Sequence, residues 1–261
     1  MEGFVDGSRA HSHLGTVAAM TAILVHGVPE TTRVWDDLVD ELDRDDVVVL
    51  ALPGFGTALP DGFEPTMYRY AEWLSAELRA FDEIDLVTHD WGAILALRVL
   101  ADRPANVRSW ATDAGDLGAD FRWHDLALLW QRPGEGEAFM DGMVSASSAD
   151  RAELLASTGV PVAGAQAMAD AFDATMATAI LALYRSATDV GNEWGPGIDS
   201  ISGPGLIFES MQDPFRTADR ARRLADRTGA QIVTMADEGH WWMLESPAKV
   251  ATILTEFWGG I

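Results

Sequence analysis

The chain of 261 residues contains no cysteine. This absence excludes disulfide bonds, thiolate metal sites and a cysteine nucleophile. Basic residues are also scarce: 18 lysines and arginines stand against 41 aspartates and glutamates, a formal net charge of −23 at pH 7. A surface of that sign repels phosphate backbones and anionic membranes, so we expect neither nucleic acid nor a membrane as partner. A strongly anionic substrate is disfavoured too, unless its site is locally basic.

Long apolar runs and cofactor motifs are absent as well. No apolar stretch approaches the roughly 18 residues that a membrane span needs. The first residues, Met1 to Asp6, lack the basic region and the apolar stretch of a secretory signal. The sequence also has no HExxH motif, no P-loop and no dinucleotide-binding glycine fingerprint. We therefore expect a cytoplasmic protein with no metal site and no organic cofactor.

The pattern that is present is typical of an α/β protein. Short apolar runs alternate with longer amphipathic ones, and 48% of the residues are hydrophobic. This alternation predicts a mostly parallel central sheet with helices on both faces. The predicted strands cover residues 22–25, 47–52, 84–87, 107–111, 205–208 and 231–235. The predicted helices of this core cover residues 32–42, 67–81, 92–101, 216–226 and 247–258.

The spacing of the strands breaks once. Roughly ninety residues separate the fourth predicted strand from the fifth, far more than an ordinary crossover needs. Helical patterns fill much of this interval, at residues 124–131, 137–143, 149–156 and 163–187. We predict one α/β core made of residues 1–117 and 198–261, with residues 118–197 inserted as a helical cap. A separate second domain is the weaker alternative, because the sheet pattern resumes after the insertion.

The most informative motif is the strand–turn–helix junction at residues 84–97. This is the context of a nucleophile elbow, in which a strained turn lifts one side chain above the sheet. The residue at its tip is Asp90. A carboxylate attacks an alkyl carbon more usefully than an acyl carbon, and the resulting ester can be hydrolysed at the aspartate's own carbonyl. Asp90 is therefore a candidate nucleophile for epoxide opening or carbon–halogen cleavage, although an aspartate in such a turn, taken alone, is more often a helix N-cap.

Later residues supply partners for Asp90. Of the six histidines, only His240 lies in a loop after the last predicted strand, where a base opposite the elbow is expected. Such a base needs a carboxylate that fixes its tautomer, and we prefer Asp213, which follows the fifth predicted strand. The other carboxylates that remain candidates for this acid are Glu209, Asp113 and Asp116. For an oxyanion hole, the expected backbone N–H donors are those of Trp91 and Val28.

Five segments, spread from position 26 to position 241, resemble the α/β-hydrolase superfamily and specifically its branch with an aspartate nucleophile. They are His26-Gly27-Val28-Pro29, Leu52-Pro53-Gly54-Phe55-Gly56, His89-Asp90-Trp91-Gly92, Gln212-Asp213-Pro214 and Gly239-His240-Trp241. The chain order nucleophile, acid, base is also that of this superfamily. The motif at Asp90 is the most specific of the five and is typical of epoxide hydrolases. Two departures are Thr88, where glycine is usual, and a segment before Ala22 that is too short and polar for full-length first strands.

The resemblance implies an α/β-hydrolase fold and a hydrolase that opens a small-to-medium, apolar organic epoxide to a diol. The reaction would pass through an alkyl–enzyme ester on Asp90, which water activated by His240 and Asp213 would then hydrolyse. A haloalkane or haloacetate dehalogenase that uses the same triad is the alternative. A third reading is a ligand-binding homologue without turnover. The oligomeric state is open, and a homodimer is one alternative.

Related epoxide hydrolases use two tyrosines of the cap to protonate the opening epoxide. This chain has three tyrosines, and two of them fall on the predicted helix before the elbow. Tyr184 is the one in the cap, in a Tyr-Arg context similar to the family's second cap tyrosine. The position of the first tyrosine matches Leu126, for which His124 or Trp123 is the candidate substitute. We therefore expect Tyr184, Trp91, Trp123, His124 and Leu126 to contact substrate.

Dehalogenases instead need N–H donors for the leaving halide. Trp91 would supply one, as the resemblance implies for both activities, whereas the side chain of Val28 cannot donate. The remaining candidate donors in the cap are Trp123, Trp130 and Trp194. Since tryptophan near a cap more often serves as apolar lining, the sequence favours epoxide hydrolysis over dehalogenation.

Overall fold

Six parallel strands form the central sheet of the computed structural model, which describes residues 20–113, 115–215 and 218–261. The strands are β1 (Met20–Val25), β2 (Val47–Leu50), β3 (Glu83–Thr88), β4 (Val107–Thr112), β5 (Gly205–Ser210) and β6 (Gln231–Met235). The first helices are α1 (Asp36–Glu41), α2 (Met67–Leu78) and α3 (Asp90–Ala101). Between β4 and β5 come α4 (Asp125–Gln131), α5 (Glu135–Ser145), α6 (Ser148–Ser157), α7 (Val162–Ala171), α8 (Ala174–Ser186) and α9 (Val190–Trp194). The last helices are α10 (Ala218–Thr228), α11 (Trp242–Glu245) and α12 (Pro247–Gly259).

The strand order, β2-β1-β3-β4-β5-β6, brings the carboxyl ends of all six strands to one edge of the sheet. The order reverses between β1 and β3, and such a reversal opens a crevice at the carboxyl edge, where parallel sheets bind ligands. The loops after β1 and β3 carry the residues around Val28 and Asp90. The fold therefore confirms the predicted α/β class and places both segments at this crevice.

Alternating side chains of the strands belong to two apolar clusters, one on each face of the sheet. On β1, Ile23 and Val25 join a cluster with α2 and α3, whereas Ala22 and Leu24 join a cluster with α1 and α12. All four side chains are fully buried, and the burial of each of Ile23, Leu24 and Val25 contributes about 1.5–3 kcal/mol. Because both faces are covered, the strands read as continuous apolar runs in the sequence.

The helices between β4 and β5 pack onto these same clusters. Buried residues of α4, α5 and α8 belong to the cluster of α2 and α3, and those of α6 and α7 belong to the other cluster. The predicted limits of the cap, 118 and 197, remain a prediction. The prediction of a single helix over 163–187 is wrong, because α7 ends at Ala171 and α8 begins at Ala174 with a bend of 98° between them. Asp173 causes the restart, since its carboxylate accepts the N–H of Met176 at 2.8 Å and so caps α8.

Two predictions fall partly on residues outside the described ranges. The shortened first strands concern the segment before residue 20, and the predicted start of the helix at 216 precedes the described start of α10. Among the described residues, no single helix is long and apolar enough to cross a membrane. The bent pair α7 and α8 reaches that length and composition when the two helices are taken together.

Candidate active site

Asp90 occupies a strained turn between β3 and α3. Its φ angle is +49°, in the left-handed region that non-glycine residues rarely adopt. The backbone N–H of Asp90 donates to Asp113 Oδ1 at 3.1 Å, which anchors the turn. Gly27 passes so close that a Cβ there would collide with the Asp90 side chain. Thr88 is accommodated in place of the usual glycine, since its buried hydroxyl donates to the carbonyl of Ala111 at 3.3 Å.

The structure brings Asp90, His240 and Asp213 together from three separate loops. His240 Nδ1 and Asp213 Oδ2 lie 2.8 Å apart and are both buried, so the carboxylate fixes the N–H of the imidazole on Nδ1. The other ring nitrogen, Nε2, lies 3.7 Å from Asp90 Oδ2. That separation exceeds a hydrogen bond. Nε2 is therefore the ring nitrogen of His240 that faces the Asp90 carboxylate.

The backbone donors expected for an oxyanion hole also surround Asp90. The N–H of Val28 donates to Asp90 Oδ1 at 2.9 Å. The N–H of Trp91 lies in the first turn of α3, where no carbonyl of the same helix can accept it. One carboxylate oxygen is thus held by backbone, while the other, Oδ2, faces His240.

The other carboxylates considered as partners of His240 have different neighbours. Asp116 accepts a hydrogen bond from Arg227 at 2.6 Å. Glu209 accepts one from the Thr234 hydroxyl at 3.0 Å. Asp113 lies beneath the elbow.

A buried charged cluster, formed by Glu30, His89 and Asp113, supports the elbow from below. His89 Nδ1 is hydrogen-bonded to Asp113 Oδ2, and His89 Nε2 lies 2.9 Å from Glu30 Oε1 at an angle that is poor for a hydrogen bond. The two carboxylates also accept indole N–H groups at 2.9 Å, Glu30 from Trp241 and Asp113 from Trp242. We refer to this set as the buried triad.

The charges of the buried triad stabilise one another. Burial alone lowers the pKa of His89, but the carboxylates of Glu30 and Asp113 raise it well above its ordinary value. Burial raises the pKa of Glu30, but His89, the backbone N–H of Gly27 and His26 together outweigh it, so that pKa is lowered. The three groups therefore form a protonated imidazole between two carboxylates.

Tyr184 forms the wall opposite Asp90. The residue is 2% exposed, and its ring contacts those of Trp91, Trp123 and Trp130 at centroid distances of 5.3, 5.0 and 4.8 Å. Burial and the nearby Asp90 carboxylate raise the pKa of Tyr184 well above its ordinary value, so the hydroxyl stays protonated. The hydroxyl lies near the indole N–H of Trp91, but no hydrogen bond of normal geometry joins the two groups.

Of the two candidates for a second donor, His124 is free to donate and Trp123 is not. The indole N–H of Trp123 donates to the carbonyl of Ala187 at 2.8 Å. His124 Nδ1 accepts the N–H of Ala127 at 3.2 Å as the N-cap of α4, so the ring proton of the neutral imidazole resides on Nε2. Burial lowers the pKa of His124, which favours this neutral form. Leu126 lies on the same wall and offers no donor.

Two chambers meet at Asp90. The larger chamber, about 310 Å³, lies among α4, α5, α6 and α8 and is lined mostly by apolar side chains. The smaller chamber, about 90 Å³, lies between the ends of β4 and β5 and helix α10. Four residues line both chambers: Asp90, His124, Phe215 and His240. A ligand that spans the two chambers would therefore pass directly over Asp90.

A family model for the alpha/beta hydrolase family matches residues 22–253, which include every strand from β2 to β6 and most of β1. The chain belongs to the alpha/beta hydrolase family. No curated protein sequence matches it at a significant level.

Solved structures resemble this hydrolase over nearly its whole length. The haloalkane dehalogenase DbeA from Bradyrhizobium elkani USDA94 is 19% identical with a TM-score of 0.73, covering 93% of this chain and 92% of its own. Cfl2 from Burkholderia cenocepacia is 20% identical with a TM-score of 0.74, at 91% and 87% coverage. A provisionally assigned epoxide hydrolase from Pseudomonas aeruginosa, in mutant form, is 17% identical with a TM-score of 0.76, at 93% and 90% coverage. At these identities the likeness establishes the fold alone.

Several residues of the hydrolase site were not assigned a role from the sequence. Glu30 and His89 stand inside recognised motifs, but nothing in their spacing indicates that they meet. Phe215 lines both chambers. Trp194, a candidate halide donor, lines neither chamber, because it packs against Tyr68 on an outer groove. Which side chains of neighbouring loops come into contact is not encoded in their spacing along a single sequence.

Proposed function

We propose that this alpha/beta hydrolase opens an organic epoxide to a diol through an ester on Asp90. One observation carries the proposal: Asp90 Oδ1 is held by the Val28 N–H at 2.9 Å, Oδ2 faces His240, and Tyr184 stands on the opposite wall. A carboxylate oriented in this way has one oxygen available for attack. The apolar lining of the larger chamber suits the carbon skeleton of such a substrate.

In the first half-reaction, Asp90 Oδ2 attacks a ring carbon and the bond from that carbon to the epoxide oxygen breaks. The oxygen takes the proton of the Tyr184 hydroxyl, while His124 Nε2–H supplies a second hydrogen bond. An alkyl ester of Asp90 and a free hydroxyl result, and Tyr184 regains its proton from solvent. A donor at the departing oxygen lowers the barrier because negative charge develops there.

In the second half-reaction, His240 Nε2 accepts a proton from a water molecule as its oxygen attacks the Asp90 carbonyl carbon. The tetrahedral oxyanion accepts the backbone N–H groups of Val28 and Trp91. Its collapse breaks the bond to the alkoxide, which receives the proton from His240 and leaves as the diol. The carboxyl group of Asp90 then releases its proton to solvent, which balances the proton that Tyr184 takes up. Asp213 stabilises the transient imidazolium throughout.

Oxygen-18 labelling in a single turnover tests this mechanism. With enzyme in excess over an epoxide in oxygen-18 water, the oxygen added to the product comes from Asp90, so the diol is expected to be largely unlabelled. The peptide that contains Asp90 is expected to gain the label. If Asp90 instead activated water as a general base, the first-turnover diol would carry solvent oxygen and the peptide would remain unlabelled, which contradicts the ester.

A second candidate function, haloalkane dehalogenation, is favoured by two unpartnered indoles. The N–H groups of Trp91 and Trp130 are buried and, among the described residues, neither has a hydrogen-bond partner. Trp130 lines the larger chamber and Trp91 stands beside Tyr184. Donors of this kind can stabilise a leaving halide. A panel of epoxides and haloalkanes, assayed for diol and for halide, separates the two: diol without halide supports the first function, and halide without diol supports the second.

A further inference from the structure

The smaller chamber contains a guanidinium that has no ion-pair partner among the residues that the structure describes. Arg220, on α10, is half-buried and lines this chamber, with its guanidinium 4.6 Å from the ring centroid of Phe121. Within the described residues Arg220 makes no ion pair. Burial lowers the pKa of Arg220, which shows that its charge is partly desolvated. A charge removed from water without a counterion is unfavourable, so an anion in the chamber would be stabilising.

The carboxylates nearest to Arg220 are bound to other arginines. Asp120 accepts a hydrogen bond from Arg223 at 2.8 Å, and Asp116 accepts one from Arg227 at 2.6 Å. Both carboxylates influence the charge of Arg220 electrostatically without coming within ion-pair distance. In a protein with a net charge of −23, Arg220 is thus an arginine whose charge no ion pair among the described residues neutralises.

Two further donors face the same space. The hydroxyl of Ser210, at the end of β5, is buried and has no hydrogen-bond partner among the residues that the structure describes. Arg122, at the rim, donates to the carbonyls of Ala119 and Phe121. A ligand that supplies acceptor oxygens would satisfy Ser210 and Arg220 together.

Three carboxylates on the chamber wall oppose an anion, and each is held by a donor. Glu209 accepts the Thr234 hydroxyl at 3.0 Å. Asp113 belongs to the buried triad with the cationic His89, and Asp90 accepts the N–H of Val28. Among the described residues, the half-buried positive charge on the chamber wall that makes no ion pair is that of Arg220, whereas Arg122 is exposed.

We propose that the smaller chamber binds a carboxylate group of the substrate, with Arg220 as its ion-pair partner and Ser210 as a second donor. This inference rests on the proposed function and adds a substrate class: an apolar epoxide or halide that carries one carboxylate. A chamber of about 90 Å³ accommodates a group of that size. The position of Arg220 is fixed, since its carbonyl accepts the N–H of Asp116 at 3.0 Å and a Cβ at Gly115 would meet the Arg220 side chain.

The arrangement also orients the substrate. With the carboxylate at Arg220 and the apolar chain in the larger chamber, the carbon between them lies over Asp90. An ion pair of this kind would decide which ring carbon is attacked, because the chain cannot be reversed without placing the carboxylate among apolar side chains.

A binding experiment that needs no turnover tests the subsite. Pentanoate and its neutral isostere pentanamide are titrated into the protein at low ionic strength and followed by calorimetry. We expect pentanoate to bind about 10- to 100-fold more tightly than pentanamide, the range for a charge-assisted contact. Arg220→Gln is expected to abolish the preference and Arg220→Lys to retain part of it. Arg222→Gln, which alters an exposed arginine of the same helix, is the matched control and is expected to change nothing.

Equal affinity of the wild type for the two compounds would overturn the proposal and leave the chamber as a space for water. A preference that survives in folded Arg220→Gln would overturn it as well.

A kinetic experiment separates this inference from the proposed function. It compares a terminal epoxide whose chain ends in a carboxylate with the corresponding amide, and Arg220→Gln is expected to raise KM for the acid alone. Turnover of both at equal kcat/KM contradicts the subsite alone. Selective pentanoate binding without turnover of any epoxide or halide supports the subsite and contradicts the proposed function.

Discussion

Beneath the Asp90 carboxylate, Glu30, His89 and Asp113 are closed off from solvent and bonded to one another. Above it, the Tyr184 hydroxyl lies beside the indole of Trp91, and the buried indole N–H groups of Trp91 and Trp130 have no hydrogen-bond partner within the described residues. In the first region each charged group faces a charge of opposite sign without any ligand. The second region offers donors that a ligand would complete.

The two regions have different roles. A cluster of buried charges that are paired with one another holds the elbow in one geometry, since moving any member would leave a buried charge unpaired. Donors without a partner can form hydrogen bonds to a charge that develops during the reaction. Hydrogen bonds that form only in the transition state accelerate the reaction. We infer that the lower region fixes the nucleophile, whereas the upper region selects the electrophile.

Removing the nucleophile should have the largest effect of any single change. Asp90→Ala leaves the buried triad in place and removes the attacking oxygen, so turnover is expected to fall by about 10,000-fold or more. Steady-state product formation and thermal melting are the measurements. The control is Asp125→Ala, an exposed aspartate of α4. Activity within tenfold of wild type in folded Asp90→Ala would remove Asp90 from the chemistry.

The sequence was sufficient to predict the parts of the site that lie in loops directly after strands. Asp90, Asp213 and His240 each follow an apolar run, and parallel strands bring such loops to one edge of the sheet. The same argument located Val28. The α/β class and the strand positions followed from alternating apolar segments, with β2 two residues shorter than its apolar run.

The upper region and the buried triad could not be predicted in this way. Whether His124 or Trp123 has a free N–H depends on whether each ring meets a backbone group, which periodicity does not encode. The pairing of Glu30 with His89 joins two loops across β1 and β3. The break between α7 and α8 depended on a single capping residue, Asp173, inside a strong helical pattern.

The second prediction separates the half-reactions, because His240 acts after the ester has formed. His240→Gln is expected to let Asp90 attack but to slow ester hydrolysis by about 1,000-fold or more. Intact-protein mass spectrometry should then show one substrate adduct per chain, on the peptide that contains Asp90. Asp213→Asn should accumulate the same adduct. Rapid multiple turnover by His240→Gln, or an adduct on another carboxylate, would contradict the assignment.

The third prediction tests the donors of the upper region against each other. Tyr184→Phe should slow ester formation from an epoxide by about 10- to 1000-fold, the loss expected when one donor to a developing oxyanion is removed. Trp130→Phe should leave this rate within a few-fold, since epoxide opening releases no halide for its N–H to stabilise. Stopped-flow tryptophan fluorescence of both variants gives the rates. An unchanged rate in Tyr184→Phe, together with slowed halide release in Trp130→Phe, would favour the dehalogenase.

The last and smallest effect concerns the buried triad and appears in stability rather than in activity. The pKa of His89 is raised in the folded state by Glu30 and Asp113 after the opposing effect of burial, so the folded protein retains a proton that the unfolded chain releases near pH 6.5. The stabilisation is therefore complete below about pH 6.5 and is lost as the pH rises toward the folded pKa, by at most about 1.4 kcal/mol per pH unit. Urea unfolding of the wild type between pH 7 and pH 9 should show this decline. His89→Gln should flatten it, and Glu30→Gln, which lowers the folded pKa of His89, should reduce it.

The histidines His26 and His124 do not mimic the effect, because burial lowers their pKa values and their titration is finished below this range. A wild-type free energy of unfolding that is constant from pH 7 to pH 9 would show that His89 is neutral, and the lower region would then be held by hydrogen bonds without an ionic contribution.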